Sequence, residues 1–233
     1  MLAAIIPYHK NELGLVSVLI NLQAQARPHD LTTVIIVDTS ENQKGKEIAQ
    51  RYLSRSPINA YVVVKPLHIY QSWNEGIKLA ENMDCLIIND DILMPNNFLQ
   101  NLSRSRFLCP KSLCFVPRTP VMSYVGTYPP SCFSWQSVPV IYPSQLKPTG
   151  WMPGFVFYLT AECIKKVGLF DEKMLVWYGD NDYGRRIKQQ GEITMLPDYV
   201  YHYGNQSYNY FDPVIKKQIY RDREYYLEKW KKI

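Results

Sequence analysis

Cysteine is scarce, and its spacing is wrong for cross-links. The chain has five, Cys85, Cys109, Cys114, Cys132 and Cys163, an odd number without a single C-x-x-C pair. That excludes a disulfide framework and a zinc ribbon, and a reducing compartment fits best. Long apolar runs are missing too: no stretch approaches the ~18 apolar residues of a membrane span, and the opening MLAAIIPYHK lacks the apolar core of a signal peptide. The expectation is a soluble, cytoplasmic protein. No internal repeat or low-complexity tract appears. With 46% hydrophobic and 20% charged residues in 233, wholesale disorder is excluded and one large domain is favoured over two small ones.

Aromatic residues, by contrast, are abundant. Eighteen Tyr and five Trp exceed what a core of this size needs, and such amphipathic rings commonly line surfaces that stack on sugars, bases or partners. The net charge of +5 suits an anionic ligand such as a nucleotide diphosphate, and equally suits mere solubility.

Apolar runs at residues 3–7, 32–40, 60–66 and 85–90 alternate with helical periods at 13–26, 44–53 and 72–82. Pro7 stops the first run, Asp38 ends the second, and Pro28 closes the first helix. This β-α-β-α-β-α-β order predicts an α/β fold, a mostly parallel sheet with helices on both faces. Ligands of such sheets bind beyond the carboxyl ends of the strands, where Pro7, Asp38 and Asn89-Asp90-Asp91 fall. Nine of the 16 prolines lie between residues 107 and 153, which reads as an irregular half with short strands. Helices follow over LTAECIKKVG, capped by Thr160 and stopped by Gly168, and over NDYGRRIKQQG, stopped by Gly191. The basic, aromatic tail from Pro213 is amphipathic; it packs on the body or meets a membrane surface or partner.

Three segments could carry chemistry. IINDDILMP runs an apolar strand into two adjacent carboxylates, which repel unless a cation sits between them; oxygen ligands select Mg²⁺ or Mn²⁺. The same residues would equally well cap a helix over MPNNFLQNL. In WYGDNDYGRRI, Asp180 is placed to accept a proton from a bound hydroxyl, with Asp182 free to cap the helix. In YVYHYGNQS, His202 is either structural or a ligand.

In order and spacing these segments resemble the family 2 glycosyltransferases of the GT-A fold, over about residues 3 to 207. AAIIPYHKNE looks like the family's opening strand and nucleotide-binding loop, VIIVDTSEN like its base-recognising second strand, and SWNEGIKLA like its Asn-x-Gly helix. IINDDILMP is similar to the DxD turn, GWMPGFVFYLTAECIKKVGLFDE to the acceptor segment, GDNDYGRRI to the element that supplies the base, and YHYGNQS to the downstream metal-binding His.

The resemblance implies an inverting, metal-dependent transfer from a nucleotide sugar, most commonly a UDP-sugar, to a hydroxyl of a glycan or other acceptor. It implies Asp180 as base and Asp91 with His202 on Mn²⁺ or Mg²⁺. Pro7, Tyr8, His9, Glu12, Asp38, Asn74, Gly76, Asn89 and Asp90 would bind the donor, Asp90 also competing with Asp91 for the metal. Trp151, Gly154, Trp177, Tyr178 and Asp182 would bind the acceptor.

The pattern departs at three places. Asn89 stands where the first DxD carboxylate belongs, Gly179 where the Glu before the base belongs, and Thr39-Ser40-Glu41 where Asp-Gly-Ser is usual. The missing Asp and Glu keep in view an inactive carbohydrate-binding domain derived from a transferase, and the basic, aromatic-rich tail keeps in view a transferase acting on nucleic acid. The related sugar-nucleotide pyrophosphorylases would carry a Gly-rich loop after strand one, and residues 7–12 contain no glycine. The expected organisation is a nucleotide-sugar half, 1–98, an acceptor half, 99–210, and a helical tail, 211–233.

Overall fold

The computed structural model describes residues 1–26, 31–119, 141–203 and 212–231. Pro28, Cys132 and the 204–207 stretch of the histidine motif lie outside the described residues.

The predicted alternation is present. Strands β1 (Leu2–Tyr8), β2 (Leu31–Asp38), β3 (Asn59–Val64) and β4 (Asp84–Ile88) alternate with helices α1 (Glu12–Ala26), α2 (Gly45–Leu53) and α3 (Ile69–Leu79). A short strand β5 (Ile92–Leu93) leads to α4 (Phe98–Leu108) and strand β6 (Ser112–Arg118). Strands β7 (Lys147–Pro148) and β8 (Val156–Leu159), helices α5 (Ala161–Val167) and α6 (Gly179–Gln190), strands β9 (Glu192–Tyr199) and β10 (Tyr201–His202), and helix α7 (Pro213–Lys231) complete the described elements.

One sheet of order β3-β2-β1-β4-β8-β6-β9-β7 crosses both halves, and a β5-β10 ribbon stands beside it. β1, β2, β3 and β4 pair in parallel, as do β6 and β9, while β8 runs antiparallel to both β4 and β6. The sheet is therefore mostly parallel, and an antiparallel strand joins the two halves.

The strands alternate in period two between two cores. Ala4, Ile6, Val34, Ile36, Leu86 and Ile88 face α1, α2 and α4, packing on Leu15, Leu19, Ile48 and Leu102. Ala3, Ile5, Ile35, Val37, Cys85 and Ile87 face the other way, toward Trp73 and Ile77 of α3, Tyr183 and Ile187 of α6, and Tyr226 of α7.

Several local readings are corrected. Pro7 does not stop β1, which runs to Tyr8; the β4 pairing ends at Ile5, and beyond it β1 pairs with β2 alone. Of the proline-rich region, residues 120–140 lie outside the described residues; the part before them holds a seven-residue interior strand, β6, buried from Ser112 to Pro117. Helix α4 starts at Phe98 with Asn97 at its N-cap, so Asn89-Asp90-Asp91 caps no helix. Asp182 caps none either, because α6 begins at Gly179 behind Tyr178. Thr160 does cap α5, its hydroxyl accepting from the Cys163 amide at 2.9 Å, and Gly168 ends it at φ 81°, where a side chain would be strained. The described cysteines, Cys85, Cys109, Cys114 and Cys163, are free thiols. No described helix is long and apolar enough to cross a membrane.

Candidate active site

The carboxyl ends of β1, β2 and β4 open onto a cavity of about 470 Å³ whose far wall comes from the segment before β8, the start of α6 and β10. Of the predicted donor residues, Pro7, Tyr8, His9, Asn89 and Asp90 line it. Of the predicted acceptor residues, Trp151, Gly154, Trp177 and Tyr178 do, and Asp180, Asp91 and His202 join them. Residues more than 190 apart in sequence thus meet around one space.

Four donor residues and one acceptor residue are not brought to it. Glu12 opens α1 and pairs with Lys44 at 2.6 Å on the surface. Asp38 is fully buried; it accepts from the Ser40 amide at 2.9 Å, the Ser40 hydroxyl and the Gly45 amide at 2.8 Å, fixing the β2–α2 turn. Asn74 brackets Phe170, accepting from its amide at 2.8 Å and donating to its carbonyl at 3.0 Å. Gly76 permits α3 to lie on β1, since a Cβ there would sit 2.3 Å from Ile5 Cγ2. Asp182 is buried in ion pairs with Arg186 at 2.9 Å and Lys229 at 2.7 Å. In each case the polar or small residue holds the scaffold and leaves the cavity to its neighbours.

The acidic turn divides its work. Asp90 is almost completely buried and turned toward the β1 loop, where its Oδ2 accepts from the His9 amide at 3.4 Å and its carbonyl accepts from Asn11 Nδ2 at 3.0 Å. Burial, then the neighbouring Asp91 charge, pushes its carboxyl up to about 8. Asp91 instead faces His202, with Nε2 3.1 Å from Asp91 Oδ1. That contact is not directed along a hydrogen bond, and both Asp91 Oδ1 and Asn89 Oδ1 are buried without a hydrogen-bond partner. Orphaned acceptors of this kind are costly unless a cation or donor meets them. The His202 ring is held flat on Phe155, centroids 4.1 Å apart. Two oxygens and an imidazole suit a divalent ion such as Mn²⁺. No group of three or more His, Cys, Asp or Glu side chains is gathered among the described residues, so such an ion would take further ligands from substrate phosphates or water.

Asp180, on the lining of the same cavity, lies in the first turn of α6, where the helix dipole favours a negative charge. Burial pushes its carboxyl up to about 6, against the Asn181 and Asp180 amides and the Tyr70 hydroxyl, which all hold it down. Gly154 makes room for it: a Cβ there would come within 2.8 Å of Asp180 Oδ2. The missing Glu before Asp180 has a steric explanation, because a Cβ on Gly179 would fall 2.5 Å from the Tyr70 ring. That ring donates from its hydroxyl to the Val176 carbonyl at 3.3 Å. Trp151 and Trp177 are each 44% exposed at the rim, where aromatic rings can meet a ligand.

The sequence reading overlooked Thr39, Leu67, Tyr70, Phe155 and Asn181, all on the cavity wall. Thr39 was legible as the first residue beyond a strand ending in Asp38. Nothing in spacing or composition marked Tyr70, which reaches the site only because α3 and α6 pack on one face.

No family model matches this chain, and no curated protein matches its sequence. Its structure is similar to the crystal structure of GalNAc-T7 with UDP, GalNAc and Mn²⁺, with a TM-score of 0.68 and 15% identity over 97% of this chain and 50% of that one. It is also similar to TarS of S. aureus, with a TM-score of 0.61 and 16% identity, covering 85% of this chain and 36% of that one. The TarS 1-349 complex with UDP-GlcNAc gives 0.60 and 15%, covering 85% and 57%. The chain thus spans between 36% and 57% of the length of these structures. The fold is that of GT-A glycosyltransferases.

Proposed function

We propose that this chain is an inverting, metal-dependent glycosyltransferase of the family 2 type, moving a sugar from a nucleotide diphosphate, UDP first, to a hydroxyl of a glycan acceptor. The observation that carries the reading is the meeting of two groups in one cavity: the Asp91–His202 pair, with the orphaned oxygens of Asp91 and Asn89, and the Asp180 carboxylate. The bound nucleotides and Mn²⁺ of the similar structures support the donor and ion assigned here.

Asp91 and His202 would hold the ion, with Asn89 completing the protein side and Asp90 anchoring the β1 loop instead of binding metal. When bound, a divalent ion neutralises charge on a departing diphosphate. Pro7, Tyr8, His9 and Thr39 line the end where nucleoside binds, Thr39 beside the buried Asp38 that shapes its turn. Trp151, Trp177 and Tyr178 stack on the acceptor, and Gly154 lets Asp180 approach it. Asp180 takes the proton of the acceptor hydroxyl as that oxygen attacks the anomeric carbon. A carboxyl near pH 6 is ionised at neutral pH yet more basic than an ordinary aspartate, which suits this step. The 1–98 and 99–210 halves correspond to the donor and acceptor sides of this reaction.

A panel of nucleotide sugars, assayed for thermal stabilisation and turnover with Mn²⁺ and with chelator, tests the reading. Metal-dependent turnover of at least one donor is expected. Binding without turnover would favour the inactive carbohydrate-binding domain, and the absence of both binding and turnover would contradict the proposal.

A further inference from the structure

Helix α7 carries a buried carboxylate that the reaction above does not use. Asp222 is 1% exposed, and its Oδ2 accepts from three successive backbone amides, those of Leu175 at 3.2 Å, Val176 at 2.8 Å and Trp177 at 2.9 Å. Its other oxygen is held by Gln218 Nε2 at 2.7 Å. Convergent amides of this kind form a nest for an anion, here supplied by the protein itself from 45 or more residues along the chain.

The rest of the helix grips the same region. Tyr226 stacks on Tyr178 with centroids 5.2 Å apart, and Trp230 donates to Asp182 Oδ1 at 3.1 Å. Lys229 bridges Asp171 at 2.8 Å and Asp182 at 2.7 Å. The gripped turn is not relaxed: Tyr178 sits at φ 68°, a left-handed conformation that bulky residues seldom adopt and that persists only when the surroundings dictate it. Two residues beyond it comes Asp180.

We propose that Asp222 is a positioning residue, and α7 a clamp, which fix the 175–178 turn so that Trp177 and Asp180 face the cavity in register. The inference rests on the reading of Asp180 as the base. Catalytic groups must be held closely, and a misplacement of about 1 Å can cost about 10²-fold in rate. α7 is therefore part of the machinery of the acceptor side, and the expected consequence of loosening it is confined to that side.

The test uses the full chain with Asp222→Ala, Asp222→Asn and Asp180→Asn, read by hydrogen exchange, by UDP calorimetry in Mn²⁺, and by turnover of the donor found in the panel. In Asp222→Ala the 175–177 amides are expected to lose protection while β1 to β4 keep theirs. kcat should fall by about 10²-fold with UDP affinity unchanged, and Asp222→Asn, which keeps one acceptor oxygen, should fall between. Undiminished kcat in Asp222→Ala, or a loss of UDP binding equal to the loss of kcat, would overturn the clamp. If Asp180→Asn is inactive while Asp222→Ala is not, the clamp alone fails. If Asp180→Asn retains full turnover, the base assignment fails. Should the wild type turn over no donor, the 175–177 amides still decide: protection lost with the sheet intact supports the clamp, and protection retained refutes it.

Discussion

The two sides of the cavity are built on different plans. On the side assigned to the nucleotide, the most conspicuous motif residues turn inward: Asp38, Asn74 and Gly76 are spent on a turn, a loop and a helix contact. The cavity there is walled by the strand-end residues beside them. On the side assigned to the acceptor the motif residues other than Asp182 face the cavity, and their support comes from elsewhere, from Tyr70 on α3 and Asp222 on α7. A wall made by strand ends tolerates side-chain change, whereas a wall made by side chains on a turn depends on whatever holds the turn.

The sharpest way to separate the two sides is Asp180→Asn. Its removal of the base should lower turnover by about 10²-fold or more, with UDP binding by calorimetry unchanged. Equal loss of both would merge the two sides into one.

The same variant should be the more stable protein. A folded pKa near 6 against a reference of 3.8 means that the native state binds the extra proton, so stability falls as pH rises from about 4 to about 6 and stays lower above it. Asparagine carries no such penalty. It should gain up to about 3 kcal/mol in urea unfolding at pH 7, a gain that vanishes near pH 4. Turnover of the wild type should drop correspondingly as pH falls through about 6. A flat rate profile from pH 5 to 8 would contradict the buried base.

Gly76→Ala probes the opposite side. The added methyl meets Ile5, so a loss of about 1–3 kcal/mol in stability is expected, with UDP affinity preserved in the folded fraction. Weakened nucleotide binding at unchanged stability would return Gly76 to the donor site. The smallest effect is expected for Trp177→Ala: a lost stacking face should raise the acceptor KM about 10-fold and leave the donor KM alone.

Much of this was legible in the sequence because strand periodicity and strand-end chemistry are local. The order of β1 to β4 and the Thr160 cap follow from runs and turns read in place, whereas the pairing of Asp91 with Asp180 in one site came from the family resemblance. Three things were not local. β6 hid among prolines because Pro110 precedes it and Pro117 sits at a register shift between Val116 and Arg118, where the pairing with β9 is irregular. Glu12, Asp38, Asn74, Gly76 and Asp182 carry motif chemistry whose direction depends on what packs beside them. Tyr70 and Asp222 owe their roles entirely to the docking of α3, α6 and α7 on one face of the sheet.

The central claim is that Asp91, His202 and Asp180 share one nucleotide-sugar site, and titration of UDP into the wild type and Asp91→Ala, each with Mn²⁺ and with chelator, tests it most directly. The account predicts tight binding only for the wild type with Mn²⁺, and weak binding in the other three titrations. Equal affinity with and without the metal, or an Asp91→Ala protein that keeps the metal-dependent gain, would contradict it.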